Sequence, residues 1–148
     1  MPKRKENNRN SYSHLHIIGS YYSQRMKRVV EYKSLGERLF YYYLELDRAV
    51  IRYYVQPVEV PMPKQNDLED PWVHIPNVLV FRSGNAPFLY QIKDSVEEEF
   101  NNKQKLINER CEAFVIQHGW NYQVITPKSM PTVLSRNIRF LKNFLERT

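Results

Sequence analysis

Four side chains stand out by type and spacing: Glu37, Asn77, Gln91 and Lys93. Together they offer one carboxylate, two amides and one ammonium. Gathered in one place, with Ile75, Leu79 and Ile92 around them, they would form a polar cluster with an apolar border, which marks a candidate site. Gln91 and Lys93 are two apart, so an extended segment puts them on one face. If 72–81 is one extended run, Val73, Ile75, Asn77, Leu79 and Phe81 share a face, and His74 falls on the opposite one, outside the cluster. Pairing the two runs as a hairpin with an even-sum register sets Asn77 across from Gln91 or from Lys93. The loop length permits either. Each residue taken singly has an ordinary reading: Glu37 as the acid of a capping box, Lys93 as a solvated charge. Only their joint placement suggests chemistry.

The elements that must position them can be read from periodicity. Ser34-Leu35-Gly36-Glu37 fits a capping box, and Leu35, Leu39, Tyr42, Tyr43, Leu46 and Val50 recur at helical spacing. A helix from Ser34 to about Asp47 is expected, buried on more than one side. Val55 to Pro61 reads as a strand ended by prolines, Trp72 to Phe81 as a second and Phe88 to Lys93 as a third. Arg82-Ser83-Gly84-Asn85 supplies the turn between the last two. Ser95-Val96-Glu97-Glu98 opens a long helix with Val96, Phe100, Ile107, Cys111, Phe114 and Val115 on its apolar side, closed by Gly119. Tyr122 to Thr126 is a fourth strand. Beyond Pro127 and Pro131 a last amphipathic helix carries Ile138, Leu141, Phe144 and Leu145. The order helix, three strands, helix, strand, helix predicts an α/β fold, a mixed β-sheet flanked by helices.

Residues 1–28 lack strong periodicity and read as an irregular basic arm, with one domain over 29–148. The net charge is +6 in 148 residues, and it is concentrated at the two ends. Lys3, Arg4, Lys5, Arg25, Lys27, Arg28 and Lys33 crowd the start, and Lys128, Arg136, Arg139 and Lys142 lie near the end. Such clusters suit a phosphate backbone. No apolar run is long enough for a membrane span, and the basic start lacks the apolar core of a secretory signal. Cys111 is the only cysteine, which excludes an internal disulfide and a multi-cysteine zinc cage. A cytoplasmic setting is the expectation. No helix-turn-helix or zinc finger is evident, so basic side chains would give position on DNA rather than base reading.

The motifs resemble one nuclease family. Nucleases of the PD-(D/E)xK group carry an acid on an early helix, a Pro-Asp on one strand and an acid-x-Lys on the next. Here Glu37 follows Ser34-Leu35-Gly36, Pro76-Asn77 precedes Val78-Leu79-Val80, and Gln91-Ile92-Lys93 looks like the Gln-x-Lys variant of the TnsA endonucleases of heteromeric transposases. Val55-Gln56-Pro57-Val58 and Arg136-Asn137-Ile138-Arg139-Phe140-Leu141 also resemble that family, and the likeness spans about residues 25–145. It implies a restriction-endonuclease-like core and metal-dependent hydrolysis of a DNA strand at transposon ends. The implied catalytic set is Glu37, Asn77, Gln91 and Lys93. Mg²⁺, with Mn²⁺ as a substitute, would be held by Glu37, Asn77, Gln91 and the carbonyl of Ile92. The implied partners are double-stranded transposon-end DNA, a TnsB-like recombinase and a TnsC-like AAA+ regulator, in a bacterial or phage system. The chain departs from the pattern at Asn77, where the family has Asp, through an introduced change or natural degeneration. Without that charge, weak metal binding and poor or absent cleavage are expected. Many of these proteins also carry a C-terminal winged-helix-like domain, which is not expected here.

Overall fold

A computed structural model describes residues 18–64, 70–93, 102–127 and 129–130. The chain opens with an antiparallel hairpin, β1 (Gly19–Ser23) and β2 (Arg28–Tyr32), paired from Gly19↔Tyr32 to Ser23↔Arg28. The expectation of an irregular arm over 1–28 is therefore corrected from residue 19 onward, and a boundary at 28 would cut this hairpin. Its alternation is real but short, and the polar tip at Gln24-Arg25 and the Tyr-Tyr pair conceal it. Val30 and Tyr32 turn into the core, while Val29 and Glu31 face outward. Lys27, at φ 56, occupies the left-handed region that closes the turn.

Helix α1 (Leu35–Leu46) begins where the capping signal predicts. The Ser34 hydroxyl accepts the Glu37 N–H at 3.1 Å, which satisfies one of the donors a helix start leaves open. Phe40, Tyr41, Tyr43 and Leu44 are buried in the main core with Val50, Tyr53, Val78, Val80, Tyr90, Ile92 and Ile125.

Three strands follow in a meander: β3 (Val50–Val55), β6 (Val78–Arg82) and β7 (Phe88–Ile92), with β8 (Asn121–Ile125) added parallel to β7. The sheet order β3-β6-β7-β8 is thus mixed, with one parallel and two antiparallel neighbour pairs. Two expected strands differ in extent. The strand expected over Val55 to Pro61 is corrected: Gln56 leaves the extended region at φ 48, residues 56–59 are not strand, and β3 lies before them, opened by Val50, which was expected on the helical stripe. The run 72–81 is two strands: β5 (Trp72–His74) pairs with β4 (Val60–Met62) in a separate small sheet, and β6 starts anew at Val78.

Helix α2 (Asn102–His118) buries Gln104, Ile107, Cys111 and Val115, a stripe at helical spacing. It packs on the face of the sheet bearing Leu79 and Leu89, whereas α1 packs on the alternate residues Val78, Val80, Tyr90 and Ile92. The sheet therefore lies between two helical layers. Gly119, at φ 71, ends α2. The Trp120 N–H reaches the Val115 carbonyl at 2.9 Å and the Gly119 N–H the Ile116 carbonyl at 3.3 Å, the paired bonds of a Schellman end. The Ser95 capping box and the helix expected after Pro131 lie outside the described residues. Among those described, no helix is long and apolar enough to cross a membrane.

The buried Cys111 offers a pH-dependent test. Burial pushes its thiol up to about 11, against an ordinary 9.0. The folded state then holds this proton more tightly than the unfolded chain. Its contribution to stability is full below pH 9.0 and is lost as pH rises towards about 11. Native protein at pH 8 is expected to resist iodoacetamide and to react once unfolded by guanidinium. Equal rates in both states would show that the site is open.

Candidate functional site

All four residues singled out by type are buried: Glu37 at 7% exposure, Asn77 at 3%, Gln91 at 7% and Lys93 at 6%. Burying an ion or an amide is costly unless it is partnered, so their contacts matter. Asn77 sits in the gap between β5 and β6, one residue before the sheet pairing begins. Its side-chain oxygen accepts the Ile92 N–H at 2.7 Å. Its backbone N–H donates to the Tyr90 carbonyl at 3.1 Å, and its own carbonyl accepts the Gln56 N–H at 2.8 Å. The Tyr41 hydroxyl approaches the same carbonyl at 3.4 Å. The register Val78↔Tyr90 and Leu79↔Leu89, carried one step back, sets Asn77 across from Gln91. That is one of the two even-sum alternatives.

Glu37 and Asn77 meet at a cleft of about 240 Å³, lined also by Val29, Glu31, Lys33, Tyr41, Val55 and Gln56. The hairpin supplies one wall through alternate residues, α1 the second, and the end of β3 the third. One oxygen of Glu37 accepts the Lys33 N–H at 3.2 Å, so this carboxylate caps the helix start and lines the cleft together. Gln56, held at φ 48 before Pro57, is a non-glycine residue in a sparsely populated region, a conformation costing on the order of 1–3 kcal/mol that concentrates at functional sites.

Gln91 and Lys93 do not line that cleft. Gln91 shares the β7 face of Leu89, and its side-chain oxygen lies 2.6 Å from Nε2 of His74. The Lys93 ammonium donates to the side-chain oxygen of Gln104 on α2. Gln104 in turn donates to Asn108 at 3.2 Å, which also accepts the Tyr122 hydroxyl at 2.9 Å. The Lys93 N–H is fixed to the Ile125 carbonyl at 2.8 Å. Asn77 is the joint between the two groups, since it borders the cleft and ties itself to the backbone between Gln91 and Lys93.

The exclusion of His74 by strand parity is corrected. The parity count assumed a continuous strand, and the break at Ile75-Pro76-Asn77 resets it, bringing His74 to Gln91. Glu31 and Gln104 escaped the sequence reading, and Gln56 entered it only as part of the Val55-Gln56-Pro57-Val58 likeness. Glu31 was hidden because the stretch between the arm ending at 28 and the Ser34 cap falls in no expected element, whereas Glu31 lies in β2. Gln104 is the polar head of the buried stripe Gln104, Ile107, Cys111, Val115, a spacing that was legible. Gln56 carried no signal for its left-handed backbone.

The basic residues expected on DNA fall into three groups. Lys3, Arg4 and Lys5 lie outside the described residues. Lys27 and Arg28 are exposed on the hairpin and Lys33 lines the cleft. Arg25 is corrected: its guanidinium donates to the Val50 carbonyl, and to the Glu45 carbonyl at 3.0 Å, while its Nε is buried. It joins the hairpin to the end of α1 and is not presented to a phosphate.

As a metal site the cleft offers oxygen donors, which suit a hard divalent ion. Glu31 and Glu37 outweigh Lys33 by one negative charge. Yet the Asn77 oxygen already accepts a hydrogen bond, and no group of three or more His, Cys, Asp or Glu side chains gathers among the described residues. The donors fit Mg²⁺ in kind, with the low charge of a weak site. No protein-family model matches the chain, and no curated protein sequence matches it.

Proposed function

We propose that this chain is a metal-dependent DNA endonuclease subunit of a heteromeric transposase, built on a restriction-endonuclease-like core and cutting one strand at transposon ends. The observation that carries this reading is the burial of Glu37, Asn77, Gln91 and Lys93 around the start of β6 and the end of β7. Ordinary solvated charges would not be there. The order of one helix, a three-strand meander, a second helix and a parallel strand supports the same reading.

In this account Glu37 and Asn77 are the donors that would hold Mg²⁺ at the cleft, while Gln91 lies outside it with its oxygen against His74. A bound Mg²⁺ supplies a water of lowered pKa and neutralises charge on the scissile phosphate. Asn77 braces the backbone of Ile92 and so fixes Gln91 and Lys93 on either side of it. Lys93 would supply positive charge for a developing oxyanion only on leaving the Gln104 contact that holds its ammonium outside the cleft. His74 sets the orientation of the Gln91 amide.

A second reading has its own observation. Asn77 carries no charge and its oxygen is engaged by Ile92, which favours a nuclease-fold module that binds DNA and partners without cutting. The two separate in a nicking assay on transposon-end duplex with the partner recombinase and Mg²⁺ or Mn²⁺. The endonuclease reading expects slow, metal-dependent nicking that Glu37→Gln removes. DNA binding without nicking, in both this chain and its Asn77→Asp variant, would establish the module instead.

A further inference from the structure

The β3 end of the sheet face on which α2 packs carries a second feature. Arg52 and Tyr54 alternate away from the core residue Tyr53, and their partners across the ladder are Phe81 and Leu79. These four share one face of the sheet. Arg52 stands 4.4 Å from the Phe81 ring centre. Arg28, reaching over from the hairpin, stands 5.4 Å from that of Tyr54. Tyr54 and Phe81 meet edge to face, 6.1 Å apart at 87°. Around them runs a groove of about 420 Å³ lined by Arg28, Tyr54, Val55, Gln56, Pro57, Leu79 and Phe81.

The lining holds an arginine and two aromatic rings but no acid. Arg28 and Arg52 are exposed, and a guanidinium lying over a ring keeps N–H donors free for a phosphate. Val55 and Gln56 line both this groove and the cleft of Glu37 and Asn77. The two therefore adjoin at the end of β3.

We propose that this groove binds single-stranded nucleic acid, with bases against Tyr54 and Phe81 and phosphates on Arg28 and Arg52. Cations set against aromatic rings along a groove are what a single strand needs, because its bases are free to stack. A duplex would offer the phosphates but no base faces. The inference deepens the nuclease reading by giving a frayed or displaced strand a path into the cleft. Binding itself requires neither metal nor cleavage.

The test is fluorescence anisotropy with a labelled 12-nucleotide single strand and the matching duplex, in EDTA, over a range of salt. The single strand is expected to bind more tightly than the duplex. The pair Arg28→Ala and Arg52→Ala is expected to weaken it at least tenfold and to flatten the salt slope by about 1.4, at about 0.7 per lost phosphate contact. Tyr54→Leu is expected to weaken binding about fivefold with the slope unchanged, the mark of lost stacking. Arg48→Ala, exposed and outside the groove, should leave binding as it was. Duplex preference, or single-strand binding indifferent to Arg28, Arg52 and Tyr54, would overturn the proposal. A chain that binds the strand through these residues yet never cuts would retain this proposal while refuting the nuclease reading.

Discussion

Asn77→Asp is expected to raise Mg²⁺-dependent nicking of transposon-end DNA by about 100-fold or more, the scale of one well-placed charge in such a centre. The replacement is nearly isosteric. One carboxylate oxygen can keep accepting the Ile92 N–H, as the amide oxygen does at 2.7 Å, so the β6–β7 junction is preserved. The other oxygen adds charge at the rim of the cleft that Glu37 lines. Divalent affinity rises with ligand charge, and a tighter ion raises the rate at limiting metal. Combining Lys93→Ala with Asn77→Asp should return the rate to near its starting level, while circular dichroism shows the fold retained. Unchanged nicking in the Asn77→Asp variant would place the chemistry elsewhere.

Removing the side chain of Glu45 is expected to cost about 3 kcal/mol and lower the melting temperature by about 10 °C. This carboxylate on α1 collects four donors. One oxygen accepts the Ser23 and Tyr53 hydroxyls, both at 2.6 Å; the other accepts the backbone N–H groups of Gln24 and Arg25 at 3.1 and 3.4 Å. Tyr21 extends the network through Tyr53 at 2.6 Å. Burial, its largest cause, pushes the Tyr53 hydroxyl well above the ordinary tyrosine range, so it remains a proton donor at neutral pH. Glu45→Ala removes the acceptor of two fully buried hydroxyls, leaving that of Ser23 with the Met26 N–H it accepts and that of Tyr53 with Tyr21. Because the hairpin is one wall of the cleft, hydrogen exchange of the Val29–Tyr32 amides should accelerate in the same variant. Glu45→Gln, which keeps one acceptor oxygen, should lose less than half as much. A melting temperature within about 2–3 °C of the parent for Glu45→Ala would mean that apolar packing of Val30 and Tyr32 alone seats the hairpin.

Some of this architecture was legible in the residues and some was not. The helix start at Ser34 could be read because a cap is a local chemical event. The end of α2 at Gly119 was legible for the same reason. The third strand and the even-sum pairing with the second were legible because apolar runs and a Gly-Asn turn bracket them. The hairpin of β1 and β2 was missed because two five-residue strands give too few alternations to show a period. The split between β5 and β6 was missed because strand parity assumes continuity, and a single Pro76 did not announce that Trp72–His74 pairs with β4 instead. At the site, residue types pointed to Glu37, Asn77, Gln91 and Lys93. Their division between a cleft on one side and the Gln104 contact on the other depends on long-range packing that no local pattern encodes. The role of Arg25 in bridging backbone carbonyls was hidden for the same reason, since a charge count cannot distinguish a structural guanidinium from a free one.

The central claim is that Glu37 and residue 77 act together on one divalent ion. Titrating Mn²⁺ into the protein and following the free ion by electron paramagnetic resonance tests it directly. Weak binding is expected for the chain as it stands, binding at least about tenfold tighter for Asn77→Asp, and loss of that gain when Glu37→Gln is added. If Asn77→Asp binds Mn²⁺ no better than its parent, or binds it equally well without the Glu37 carboxylate, the two residues do not form a metal centre.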